Sequence, residues 1–323
     1  MLGKDEVVTA TQSNRPLKIG LFVTAMAGGM RDGALRWADL RQMAERAEAV
    51  GFDSFWVPDH LIFKPEGEKP HGPWECWSLI AALAASTSRL EIGSLVTCTP
   101  FRDPGLLAKM ADTIDEISSG RLILGLGAGW HEPEFDAFGY PFDHRFERFE
   151  EYLHIIRTLL RTGKIDHEGT YYTLRECELR PRGPRPEGPP LMIGALATKK
   201  RMLGLIARYA DLWNGWLLHS RSHPDEVPPL TAALDEALRA AGRDPSTIGR
   251  TIGIMVDQRP ASERPTLPGS NQATFLTGSN EEIAASLRQF AAHGIDHIQV
   301  TTAIQAVAGV EAFAPVLELL DRG

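Results

Sequence analysis

Short apolar runs alternate with amphipathic stretches eight times along the chain. The runs are Leu17–Val23, Phe52–Val57, Leu90–Thr97, the stretch through Leu122, Ile123 and Leu124, Leu191–Gly194, Asp211–Trp216, Thr251–Val256 and His297–Val300. Apolar residues at successive positions predict strands buried on both faces, as in a parallel sheet. The intervening stretches carry helical stripes. Leu40, Met43, Ala44, Ala47 and Val50 form the first, after Asp32 as a cap and before Gly51 as a stop. Trp77–Ala85 is the second. Pro104 opens the third, with Leu107, Met110, Ala111, Ile114 and Ile117 on one face. The fourth spans His144–Leu160 through Phe146, Phe149, Leu153 and Ile156, with acids early and Arg157 and Arg161 late, as the helix dipole prefers. Helices over Thr198–Tyr209, Pro224–Ala241, from Ser279 to Gly294 and over Val310–Leu320 complete the series. Ser279 with Glu282 three residues on is a capping box. This alternation predicts an α/β fold, a closed (β/α)8 TIM barrel, in preference to an open doubly wound sheet.

Three stretches interrupt the pattern and predict insertions after strands two, four and seven. Leu61–Pro73 is too long for a plain connection and reads as a lid or wall. Thr162–Pro190 holds a small hairpin around His167–Tyr172 and an extended surface segment, Pro181–Pro186. Asp257–Gly269 is a proline-rich loop. Residues 1–16 read as a flexible leader, and 17–323 as a single barrel domain.

Composition adds mostly exclusions. The chain has 323 residues, 43% hydrophobic and 24% charged, with a net charge of −8. There is no basic tract, so nucleic acid is not an expected partner. No apolar run reaches the roughly 18–20 residues of a membrane span, and the first residues lack the apolar core of a signal peptide. A cytoplasmic protein is the expectation. Cys76, Cys98 and Cys177 give neither zinc spacing nor a disulfide framework.

Candidate chemistry gathers at the carboxyl ends of the predicted strands, where barrels place their sites. Gly125, Gly127 and Gly129 alternate along strand four and leave one face bare, so that a flat group or tight packing can meet the backbone there. Trp130, His131, Glu132 and Glu134 follow. Trp130 stands where a dinucleotide fingerprint needs its last glycine, so no conventional nicotinamide site is visible. Strand one ends Phe22-Val23-Thr24 without paired histidines, and no metal site is expected. Asp59-His60 closes strand two. Imidazole is the natural proton shuttle near neutrality, and His60 is the catalytic candidate. Asp59 can anchor a ligand hydroxyl or cap the loop. After strand three, Asp103 caps a helix with Pro104 at its first position, which leaves Leu95, Val96 and Thr97 to line the mouth. Trp56, Trp130 and His131 are the candidate substrate-pocket residues. With Trp74, Trp77, Phe135 and Phe138 they suggest an apolar mouth and a bulky organic substrate.

Asp59-His60, Thr97-Cys98-Thr99-Pro100-Phe101-Arg102-Asp103-Pro104, Leu107-Ala108-Lys109-Met110 and Gly120–Trp130 together resemble the bacterial luciferase-like monooxygenase superfamily. Within it they are most similar to the group that uses the deazaflavin coenzyme F420. The similarity continues through Phe142–Leu160, Ala207–Asp211 and Gly278–Gln299. The resemblance implies a barrel whose mouth holds an isoalloxazine-type ring. Asp59 would bind the ring system and His60 would act as acid or base. A non-proline cis peptide would lie among Leu95, Val96 and Thr97, behind the ring, and Gly127, Ala128 and Gly129 would approach the cofactor. Sugar-phosphate dehydrogenases of the group carry a glutamate proton donor where Trp130 stands, and the paired glycines of many members after strand five are Gly194-Ala195-Leu196-Ala197 here.

The expected activity is hydride transfer between F420 and a small organic substrate. Two alternatives stand beside it: an FMN-dependent monooxygenase supplied by a separate flavin reductase, and a non-catalytic flavin-binding protein. Both cofactors carry a phosphate, and backbone N–H groups at a helix start can hold one. Gly194, Ala195, Leu196 and Ala197 are the candidate phosphate turn, with Thr198 and Lys199–Arg201 beside it and Asn214 and Gly215 opposite. A homodimer is the expected assembly.

Overall fold

The computed structural model describes residues 14–24, 35–64, 67, 69–194, 199–217, 222–264 and 275–322. Asp32, expected to cap the first helix, and residues 1–13 of the expected leader lie outside them. In chain order the elements are β1 (Lys18–Phe22), α1 (Trp37–Val50), β2 (Ser54–Val57), α2 (Cys76–Ser86), β3 (Glu91–Ser94), β4 (Thr97–Cys98), α3 (Pro104–Ile117) and β5 (Leu122–Gly127). Then come α4 (Glu132–Phe138), α5 (Arg145–Thr162), β6 (Lys164–Glu168), β7 (Thr173–Glu178), β8 (Leu191–Gly194), α6 (Lys200–Tyr209), β9 (Leu212–Trp216) and α7 (Val227–Ala240). The chain ends with β10 (Gly249–Asp257), β11 (Phe275–Thr277), α8 (Asn280–Ala292), β12 (His297–Thr302) and α9 (Val307–Asp321).

Eight strands, β1, β2, β3, β5, β8, β9, β10 and β12, pair in parallel in that order, and β12 pairs with β1 to close the ring. The predicted TIM barrel is the observed fold. The expected third strand is shorter than its apolar run: the ladder breaks after Ser94, and Thr97–Cys98 pairs separately with β5. The hairpin is β6–β7, antiparallel, and it follows α5.

Alternation along each stave produces two apolar layers. Outward residues such as Ile19, Leu21, Phe55, Val57, Leu124, Leu126 and Ile193 pack under the helices. Inward residues Phe22, Trp56, Leu95, Ile123 and Met192 fill the lumen, with Val96, Leu212 and Trp216 against them. The Trp56 ring fits only because two staves lack side chains there. A Cβ on Gly93 would lie 2.4 Å from the ring, and one on Gly20 would lie 2.6 Å from its Nε1. Several lumen polar groups pair with one another, while Gln299 Nε2 and Thr301 Oγ1 meet no partner among the described residues. Trp56 Nε1 donates to Ser54 Oγ at 2.6 Å, and Ser54 Oγ bonds His297 Nε2 at 2.7 Å. The Asn214 amide donates to Thr251 Oγ1 at 2.8 Å and to Gln299 Oε1 at 2.9 Å.

The caps predicted at Asp103, Ser279 and Gly51 are kept, whereas α1 begins at Trp37 with Arg36, and not Asp32, at its N-cap. Asp103 accepts from Gly105 N, Ser279 and Glu282 form the capping box, and Gly51 ends α1 at φ 96°. In α5 the buried face is Phe149, Tyr152, Leu153, Ile155, Ile156, Leu159 and Leu160. Phe146 is only half-buried, and the Arg201 guanidinium lies 3.8 Å over its ring. Ile117, assigned to the buried face of α3, is 44% exposed. The segment Pro181–Pro186 lies at the surface, as expected, and two arginines tie it down. Arg182 pairs with buried Asp112 at 3.1 Å, and Arg185 forks onto buried Asp115 through Nε at 2.9 Å and through Nη2. Arg15, placed in the leader, pairs with Asp321 at 2.8 Å. No helix among the described residues is long and apolar enough to cross a membrane.

Candidate functional site

The site is built at the carboxyl ends of β2, β3, β5 and β8. Beyond β2 the chain turns at Pro58, and Asp59 drops into the protein. Arg102 holds its carboxylate with both terminal nitrogens, at 2.6 and 3.0 Å, and Cys98 N donates to it at 2.9 Å. Burial pushes the Asp59 carboxyl upward, and Arg102 and the Cys98 amide pull against it. The pair keeps Arg102 fully charged despite its own burial. Asp59 thus ties the end of β2 to the loop after β3, with both oxygens engaged. An anchor for a ligand hydroxyl would have to compete with that fork.

His60 points the other way. Its Nδ1 lies 3.0 Å from Glu134 Oε1 and 3.3 Å from Oε2, and Oε2 also accepts from Leu61 N at 2.9 Å. Glu134 is 1% exposed, at the third residue of α4. The His60 ring stacks within a cluster of aromatic groups, 4.6 Å from Phe63 and 5.6 Å from Trp130. Trp130 is 64% exposed, and His131 sits 5.1 Å from it and 5.2 Å from Phe63. Burial pulls His131 below the ordinary histidine value, with Glu134 opposing and His60 reinforcing the shift. Its Nε2 is buried without a hydrogen-bond partner among the described residues.

The wall of the mouth comes from the break after β3. The Leu95–Val96 peptide is cis, where the resemblance implied one. Ser94 Oγ bonds Thr97 Oγ1 at 2.6 Å and donates to Gly125 O at 3.0 Å, which fixes the turn around Leu95 and Val96. The Val96 side chain then lies across two glycines. A Cβ on Gly127 would approach its Cγ2 at 2.7 Å, and one on Gly194 its Cγ1 at 3.1 Å. Val96, Gly127 and Gly194, separate in sequence, therefore form one smooth apolar surface beside Leu95.

The other expected residues divide. The room left by Gly125 is taken by Ser94 O, and Gly129, at φ 76°, faces Phe135 and Cys98, so these glycines serve the chain's own close packing. Thr97 is buried in its hydroxyl contact, and Ala128 is half-buried against the outer core. Trp56 is fully buried as lumen filling, and Trp77 and Phe135 are buried too, so none of the three lines an open pocket. Asn214 faces inward, with its NH2 donated to Thr251 and Gln299 and its Oδ1 toward Gly194. Gly215 faces outward, where a Cβ would meet the Trp213 ring at 2.9 Å, so it does not line the mouth. Ala195, Leu196 and Ala197 lie outside the described residues, as does Thr198. Of the cations beside them, Arg201 is paired with Glu147 at 2.8 Å. Among the described residues no group of histidines, cysteines and carboxylates could hold a metal ion.

Sequence reasoning gave Glu134 little weight and passed over Phe63 and Arg102. Glu134 is 74 residues from His60, and only the fold brings them together. The loop expected after β5 is the short helix α4, which turns Glu134 inward.

Residues 17–264 match the family model of luciferase-like monooxygenases. A pyrimidine monooxygenase, RutA, of Enterobacter cloacae is 37% identical over 187 residues, 56% of this chain and 49% of that protein. The RutA of Cronobacter sakazakii is 32% identical over 220 residues, 67% of this chain and 61% of that protein. The matched part of the chain thus spans about half to three-fifths of these relatives. An F420-dependent glucose-6-phosphate dehydrogenase of Amycolatopsis mediterranei is 33% identical over 250 residues, 74% of this chain and 68% of that protein. Among solved structures, an F420-dependent secondary alcohol dehydrogenase with an F420–acetone adduct shares the fold, with a TM-score of 0.76, 21% identity and coverage of 94% and 99%. A riboflavin lyase, RcaE, with modified FMN and riboflavin has a TM-score of 0.76 at 16% identity, covering 95% of this chain and 91% of that one.

Proposed function

Because the chain belongs to the luciferase-like monooxygenase family, an oxidoreductase family whose members use flavin-type cofactors, we propose that it transfers hydride between coenzyme F420 and a small organic substrate, with His60 handling the accompanying proton. The observation that carries this reading is His60 at 18% exposure past the carboxyl end of β2, the same end of the barrel at which Leu95, Val96, Gly127 and Gly194 form an apolar wall. That wall suits a flat tricyclic ring: it is apolar, and it has no side chain other than Val96 across the two glycines. Of the three curated relatives described, the F420-dependent dehydrogenase matches over the longest stretch.

When bound, the deazaflavin supplies the carbon that accepts or gives the hydride. The protein's residues supply the rest. Val96 and Leu95 back the ring, with Val96 seated in the room that Gly127 and Gly194 leave. Phe63, Trp130 and His131 form an aromatic rim that excludes water from the reacting groups and offers an apolar face to the substrate. His60 exchanges a proton with the substrate oxygen as the bond to carbon changes order. Trp130 occupies the position of the sugar-phosphate dehydrogenases' glutamate, so the substrate class proposed is an apolar alcohol or carbonyl compound and not a sugar phosphate. The sequence Gly194-Ala195-Leu196-Ala197 that follows β8 is our candidate for the cofactor phosphate.

The alternative favoured by a specific observation is FMN-dependent monooxygenation, since the greatest identity among the relatives described is to a pyrimidine monooxygenase. The absorbance spectrum and mass of any small molecule carried by the purified protein, with calorimetry against F420 and FMN, separate the two. F420 binding with substrate-dependent bleaching of its absorbance is expected, and His60→Ala should slow that turnover about 10²–10⁴-fold with the fold intact. Binding of FMN alone, with oxygen consumption, overturns the F420 assignment.

A further inference from the structure

We propose that Glu134 is a positioning residue for His60: it fixes the imidazole as the Nδ1–H tautomer, which makes Nε2 the atom that exchanges the proton. This rests on His60 being the proton-handling group. Glu134 is buried, and its two oxygens meet two partners, His60 Nδ1 at 3.0 Å and Leu61 N at 2.9 Å. Leu61 N is a backbone amide and donates. A carboxylate has only acceptors, so the hydrogen in the other contact belongs to Nδ1. A neutral imidazole then carries a lone pair on Nε2. Phe63 and Trp130 flank the ring at centroid distances of 4.6 and 5.6 Å, and the hydrogen bond that bears on its tautomer is the one to Glu134. The carboxylate is itself held by its place in the first turn of α4 and by Leu61 N, which makes it a fixed reference for the ring.

Glutamine at this position separates geometry from chemistry, because it keeps the shape and replaces one acceptor by a donor. If the amide oxygen keeps Leu61 N, its NH2 faces Nδ1, which must then accept, and the proton moves to Nε2. His60 would present a donor where the wild type presents an acceptor. The decisive measurement is nitrogen NMR of the full chain labelled with 15N-histidine, without cofactor, at a pH where the rings are neutral. His60→Asn identifies the His60 signals. The wild type should show a protonated Nδ1 and an unprotonated Nε2 at His60. Glu134→Gln should exchange the two shifts, and Glu134→Asp, which keeps the charge, should restore the wild-type order. Unchanged His60 shifts in Glu134→Gln overturn the proposal. If that variant does not fold, the wild-type spectrum decides: a proton on Nε2 of His60 refutes it. The readout needs no turnover, so an absence of F420 activity would defeat the redox reading and leave this assignment standing.

Discussion

Arg102 and Asp59 form a two-pronged ion pair between the loops that follow β3 and β2, with the carboxylate sealed from solvent and Arg102 only 9% exposed. Breaking one side of such a pair leaves the other charge buried alone, which typically costs about 3–5 kcal/mol. Asp59→Asn should therefore destabilise the protein by about that amount in chemical denaturation. Arg102→Lys, with Asp59 intact, should also be destabilising, because an ammonium cannot make the two-pronged contact. If Asp59→Asn melts like the wild type while cofactor affinity collapses, Asp59 belongs to the ligand and not to the scaffold.

His297 gives the fold a dependence on acid. Burial first, and the nearby Lys18 charge second, hold its folded-state pKa down at about 3, against 6.5 for the free side chain. Below pH 6.5 the unfolded chain takes up a proton that the folded chain refuses until about pH 3. The group's contribution is thus fully present above 6.5 and is lost as pH falls through that window. The slope should be about 1.4 kcal/mol per pH unit. Denaturation midpoints of the wild type and His297→Gln, compared between pH 7.5 and 5, should show the steeper loss in the wild type. Parallel curves would mean His297 charges freely in the folded state.

Val96 and Gly127 should behave as one unit. Gly127→Ala places a methyl 2.7 Å from Val96 Cγ2, and that short branched side chain has little room to retreat. Overpacking of this kind costs about 1–3 kcal/mol. Val96→Ala should remove most of that penalty in the double variant, a coupling of about 0.5–3 kcal/mol. Gly127→Ala alone should also weaken F420 or FMN binding in calorimetry. Additive melting shifts, or an unaltered affinity, would separate this pair from the mouth.

The barrel was legible in the sequence because its staves are short apolar runs between amphipathic helices with sound caps, as at Asp103 and Ser279. What was not legible is which way each stave residue faces. In a parallel barrel both faces of a strand are apolar, so hydrophobicity does not distinguish Asn214, which points in, from Gly215, which points out. Nor does it show that Trp56 fills the lumen while Trp130 stands in solvent. The strand-four glycines suggested an open face, yet Gly125 and Gly129 are occupied by Ser94 O and by Phe135 with Cys98, which come from other elements. The His60–Glu134 contact and the arginine fork onto Asp112 and Asp115 failed to show for the same reason. Each joins residues some 70 positions apart, beyond the reach of any local pattern.

The Trp56 indole, wedged against Gly20 and Gly93, stoppers the barrel below Leu95 and Met192. Among the described residues the lumen is therefore a plug and not a channel: a group that docks at the carboxyl ends of the staves has the indole for a floor.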